Sequence, residues 1–97
     1  MLTGKQKRFL RSEAHHLKPI FQVGKAGVNP NLIKQVNDAL EARELIKVSI
    51  LQNCAEDKDD AAHEIASGAK ADVVQVIGNT IILYKESEEN KKIELPD

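Results

Sequence analysis

Val23-Gly24-Lys25-Ala26-Gly27-Val28-Asn29-Pro30 joins the end of a β-rich run to a helix start, and so places a glycine-flanked lysine between a strand and a helix. Two glycines without a Cβ let the backbone turn tightly and approach a ligand closely. Asn29 reads as an N-cap. Pro30 suits the first helical position, where a missing N–H costs nothing. The amides that open that helix would then lie beside the loop and favour an anion, with Lys25 adding a mobile positive charge. The pattern Gly-x-x-Gly is short, and its simpler reading is a tight turn between two elements.

Working outward, Leu32, Ile33, Val36, Ala39 and Leu40 keep a helical period over 30–42 and predict one buried face. Residues 44–51 alternate Ile46, Val48 and Ile50 against Lys47 and Ser49, which predicts a strand, with Lys47 on its open face. Before the loop, 19–23 reads as a short strand that starts at Pro19. Thr3 and Gln6 resemble a capping box for a helix over 4–16, whose apolar stripe is Leu10, Ala14 and Leu17. Arg8, Arg11 and His15, with Lys7 beside them, form its basic outer ridge. Asp57, Asp59 and Asp60 complement the start of a helix that runs to about residue 67 and stops at Gly68. The runs 71–77 and 80–85 flank Gly78-Asn79, a pair suited to a tight hairpin turn, and predict two antiparallel strands. The predicted fold class is α/β: one compact domain in the order α-β-α-β-α-β-β, with helices packed on a mixed four-stranded sheet. Residues 1–86 make the domain. Residues 87–97, rich in Glu, Lys and Asn, predict a frayed acidic tail.

The chain has 97 residues, 41% hydrophobic and 30% charged, which bounds it to one globular domain. Its net charge of −1 hides an asymmetry. Residues 1–50 carry nine Lys and Arg against four Asp and Glu, or 9 − 4 = +5, and residues 51–97 carry five against eleven, or 5 − 11 = −6. A positive half of this kind points to a polyanion partner. Phe9, Phe21 and Tyr84 are the only aromatics, too few for a base-stacking sheet surface, so recognition should go through backbone and shape. The single Cys54 excludes an internal disulfide and fits a reducing, cytoplasmic setting. No run has signal-peptide or membrane-span character.

Several motifs in order carry a family resemblance. Leu2-Thr3, Lys5-Gln6, Leu10-Arg11, Pro19, Val23-Gly24-Lys25 with Gly27, Ala39-Leu40, Glu44-Leu45-Ile46-Lys47-Val48 and Val74-Gln75-Val76-Ile77-Gly78, followed by Thr80 and Leu83-Tyr84, resemble the CRM domain (chloroplast RNA splicing and ribosome maturation) in its single-domain, YhbY-like bacterial form. The resemblance implies a fold similar to the C-terminal domain of translation initiation factor three, and RNA binding tied to large ribosomal subunit assembly. It places the RNA-binding loop on Gly24, Lys25, Ala26 and Gly27. The family's basic surface falls on Lys5, Lys7, Arg8, Arg11 and Lys18, with Arg43 and Lys47 as outlying members. Lys85 stands where many relatives have arginine, which keeps the charge but loses a planar, bidentate fork. The acidic second half could repel RNA from the wrong face or meet a basic ribosomal protein.

No catalytic constellation is visible. His15 and His16 are neighbours on a helix and point in different directions. Asp57, Asp59 and Asp60 lack the glycine and terminal glutamate of a calcium loop, and the lysine loop lacks a P-loop ending. Cys54 and His63 have no partners in sequence. The chain is therefore expected to be a non-enzymatic, monomeric RNA-binding protein without metal or cofactor. The alternative is a protein-interaction adaptor of pre-ribosomal particles that meets RNA incidentally.

Overall fold

A computed structural model describes residues 2–97. The first helix, α1 (Gly4–Ala14), opens on the expected capping box: Gln6 N–H donates to Thr3 Oγ1 at 3.1 Å and Thr3 N–H to Gln6 Oε1 at 3.0 Å. A short strand β1 (Phe21–Val23), helix α2 (Pro30–Arg43) and strand β2 (Leu45–Ile50) follow. Helix α3 (Lys58–Ala69) then leads into β3 (Asp72–Ile77) and β4 (Thr80–Tyr84), so the element order is the predicted one. The four strands form one sheet in the order β1-β2-β4-β3, with β1 parallel to β2 and the other pairs antiparallel. Gly78 turns the final hairpin at φ +56.

Alternation along β2 and β4 sends side chains to both faces, and both faces are covered. Ile46, Val48, Ile81 and Leu83 join Val36 and Leu40 of α2 and Ile65 of α3 in one core. Leu45, Ile82 and Tyr84 join Leu10 and Ala14 of α1 in a second. A fully buried Leu or Ile side chain in such a core contributes about 1.5–3 kcal/mol. The strands carry both cores at once. Lys47, expected on an open face, instead lies half-buried beneath the α1 connection, where its ammonium donates to the Leu17 carbonyl at 3.0 Å.

Gly68 does not stop α3. The helix runs through it, and the glycine is the point where α3 meets α2, since a Cβ there would lie 2.6 Å from Ile33 Cδ1. The stop comes at Lys70, in the left-handed region at φ 57 and ψ 44. Ala71 N–H reaches back to Ala66 O at 2.8 Å and Lys70 N–H to Ser67 O at 3.4 Å, which together make a Schellman motif.

The segment after β4 departs most from expectation. It forms no helix or strand, but its backbone is fixed on two glutamates at the end of α2, so the expected frayed tail is corrected to a strap. Glu44 Oε2 accepts Ser87 N–H at 2.8 Å, and Oε1 accepts Lys92 N–H at 2.6 Å and Ile93 N–H at 2.7 Å. Glu41 accepts the Ser87 hydroxyl and the N–H groups of Glu88 and Glu89. Further along, Gln6 Nε2 donates to Pro96 O at 3.0 Å, and Ile93 and Leu95 pack into the α1-side core. The strap thus completes that core.

These hydrogen bonds bias the two carboxyls. Burial pushes Glu44 up, but the amides of Ser87, Lys92 and Ile93, helped by Lys91, outweigh it and leave its pKa below the ordinary value of 4.5. The Ser87 hydroxyl and the amides of Glu88 and Glu89 lower Glu41 to about 2. For a carboxyl lowered in the fold, the stabilisation is fully present above the unfolded value and is lost as pH falls toward the folded one. The strap should therefore hold at neutral pH and release progressively between about pH 4.5 and about 2. Amide resonances of Ser87, Glu88 and Glu89 followed by NMR on acid titration should shift within that window; a transition completed above it would contradict the clamp.

Candidate nucleic-acid interface

The lysine loop is a β-turn. Gly27 N–H donates to Gly24 O at 2.9 Å, which leaves Lys25 and Ala26 exposed at the two corners. Gly27 sits at φ +70, a conformation that glycine takes at little cost. Asn29 caps α2, accepting Leu32 N–H on Oδ1 at 2.9 Å, with Pro30 in the first turn as expected.

Two amides that the sequence reading offers to a phosphate already have partners. Leu32 N–H is held by Asn29, and Val28 N–H donates to Glu56 Oε1 at 2.8 Å. Among the described residues, the N–H groups of Lys25, Ala26 and Asn31 have no protein acceptor and lie at the exposed side. An anion would therefore meet the turn corners and the first turn of α2 rather than the whole loop. A shallow cavity of about 190 Å³ lies here, lined by Gly24, Ala26, Gly27, Asn29, Asn31 and Gln35 among others.

Glu56 joins this loop without any sign of it in the sequence. Its carboxyl is held low first by the Val28 amide and then by a hydrogen bond with Glu64, whose own carboxyl is pushed up by that bond. The ionised Glu56 props the loop from behind. No local signal marks it, because it comes from the polar turn before α3, twenty-eight residues away in the chain.

The remaining cations fall into groups. Lys5, Lys7, Arg8 and Arg11 are exposed on α1, which packs over β2, β3 and β4 on the sheet face opposite α2. Lys18 and Arg43 come together around a cavity of about 150 Å³ with Leu17 and Leu45. That places them at the start of β1, while the loop is at its end, so the cations bracket the edge strand. Lys47 is engaged with Leu17 O and is not part of the exposed set.

Other polar clusters offer little chemistry. Both His15 and His16 are exposed, with rings edge to face and centroids 5.5 Å apart. Among the described residues, no group of three or more His, Cys, Asp and Glu could hold a metal ion, and no helix is long and apolar enough to cross a membrane.

The chain has close relatives. It is 73% identical over 96 residues to the "Probable RNA-binding protein YqeI" of Bacillus subtilis, covering 99% of this chain and 100% of that one. A protein of Haemophilus influenzae named "RNA-binding protein" is 40% identical, over 98% of this chain and 95% of its own. The solution structure of the hypothetical protein SAV1595 from Staphylococcus aureus matches with a TM-score of 0.83 and 58% identity, covering 99% of this chain and 100% of that one. With the fold shared at this level and the CRS1 / YhbY (CRM) domain pattern matching residues 2–85, the chain belongs to the CRM domain family.

Proposed function

We propose that this chain is a cytoplasmic, non-catalytic RNA-binding protein that holds the backbone of structured ribosomal RNA during assembly of the large ribosomal subunit. The carrying observation is the loop: exposed Lys25 with the free N–H groups of Lys25, Ala26 and Asn31 beside it. Relatives named as RNA-binding proteins support the reading. The ribosomal target rests on the resemblance to the CRM family alone. The loop and the first turn of α2 would take a phosphate, and the α1 ridge with Lys18 and Arg43 would follow the strand electrostatically. With only three aromatics in the chain, sequence readout is weak and shape dominates.

The test is binding to large-subunit ribosomal RNA fragments across a salt series. Lys25→Glu, and separately a Lys7, Arg8, Arg11→Ala variant, should each weaken binding about tenfold or more. The slope of log affinity against log salt should flatten by roughly 0.7–0.9 for each phosphate that is no longer neutralised. Unchanged affinity and slope in both variants, with folding verified by circular dichroism, would sink this assignment and favour the adaptor reading.

A further inference from the structure

Folding brings lysines from the basic and the acidic half of the sequence together. Two of the five lysines in the acidic half, Lys70 and Lys85, come to the same place as Lys34 of the basic half. They surround a groove of about 580 Å³ between α2 and α3, with Pro30, Ile33 and Gly68 along its floor. No acidic side chain lines it. None of the three lysines makes an ion pair among the described residues, and Lys85 Nζ donates to Asn37 Oδ1 at 2.7 Å.

We propose that this groove is a second RNA-backbone site, in which Lys34, Lys70 and Lys85 bind phosphodiesters that continue from the Gly24–Gly27 loop. The proposal rests on the RNA-binding reading above and extends it to a surface the loop and α1 do not include. Three observations carry it. Continuity comes first. Pro30, which follows the Asn29 cap of the loop cavity, opens the groove, and Lys34 stands about 6 Å further along α2 at 1.5 Å per residue.

The second is donor chemistry. The charged side chains at the groove offer only donors, and its acceptors are neutral: Asn37 Oδ1, which accepts from Lys85, and the carbonyls of the last turn of α3. A phosphodiester brings acceptors alone. Three ammoniums with no carboxylate beside them match the closely spaced charges of a phosphodiester backbone.

The third is the backbone at Lys70. It holds the C′ position of a Schellman motif at φ 57, where glycine is the usual residue and a side chain adds strain. A lysine here costs fold stability and places an ammonium at the groove. Gly68, two residues earlier, keeps the floor low because any side chain there would run into Ile33.

The experiment pairs Lys34→Gln with Lys70→Gly in the full chain and measures binding to a large-subunit ribosomal RNA fragment across salt, beside Lys25→Glu. The groove variant should bind about tenfold more weakly, with a salt slope flatter by roughly 1.4–1.8 for two phosphates left unneutralised. Lys70→Gly should at the same time raise Tm by about 4 °C, because it removes the strained side chain. Weaker binding in a more stable protein is a combination that a purely structural role for Lys70 would not produce. If the groove variant binds like the intact protein while Lys25→Glu does not, the groove proposal is overturned and the loop reading stands. If the intact protein binds no RNA, both fall. If the groove variant loses polyglutamate binding but keeps RNA binding, the groove is a protein site and the proposal is wrong. Should the double variant fail to fold, Lys34→Gln alone, on an exposed helix face, still predicts a slope change of roughly 0.7–0.9; no change would overturn the proposal.

Discussion

Glu44→Ala should destabilise the domain by on the order of 3 kcal/mol and lower Tm by roughly 10–20 °C. Glu44 is fully buried, and its carboxylate receives three backbone N–H groups from the strap at 2.6–2.8 Å. Alanine removes all three acceptors together. The amides of Ser87, Lys92 and Ile93 then either stay buried without partners or pull the strap off into water, which exposes Ile93 and Leu95 and opens the α1-side core. Backbone strain is a separate contribution. Glu44 sits at φ 66, so Glu44→Gly forfeits the same hydrogen bonds but relieves the strain and should be less damaging than alanine. Glu44→Gln retains one accepting oxygen and should be the mildest of the three. Urea unfolding of the set, with limited proteolysis after residue 86, reads both effects. An alanine variant within about 0.5 kcal/mol of the intact protein would show that the strap adds nothing to the fold.

The second large effect is expected at the loop. Gly27→Ala places a side chain at φ +70, which costs about 1–2 kcal/mol on its own. The new Cβ would also lie 2.6 Å from Glu56 Oε1, so Glu56 must withdraw and give up its 2.8 Å bond from Val28 N–H. The sum is about 2–3 kcal/mol. Glu56→Ala in the same chain removes the collision but not the strain, so the double variant should be less unstable than the two single costs added together. Denaturant midpoints of the four proteins close the cycle. Strict additivity would mean that Glu56 does not support the loop.

Local chemistry makes most of the fold legible. Thr3 with Gln6, Asn29 with Pro30, and Gly78-Asn79 each fix a short stretch of backbone through bonds or torsions within a few residues, and all three act in the structure as their chemistry dictates. What is not legible depends on distant partners. Gly68 looks like a helix stop until Ile33 is known to face it, and Lys70 looks like a surface lysine until its torsion is seen. Glu44 reads as a charged residue at the start of a strand, because nothing between Arg43 and Leu45 shows that three amides will close over it. The loop residues themselves can be read from the sequence, but the capture of Val28 N–H by Glu56 cannot, and that bond narrows which amides remain for a ligand. Two-sided burial also hides a bulge in β3. Val73, Val74 and Val76 are all apolar, so the sequence does not say that pairing slips between Val73 and Gln75, which puts Val73 and Val76, three residues apart, in the same core.

That bulge, together with the three-residue length of β1, settles how other molecules can meet the sheet. An extended peptide joins a domain by adding a strand to a long, flat, unpaired edge. Here one edge ends after three residues, and the other is interrupted and locally twisted where Val74 bulges out of register. The same interruptions blunt the edge-to-edge pairing through which a β-rich edge such as Asp72–Ile77 would otherwise aggregate. Partners of this domain are left its helices and loops, where the cations stand.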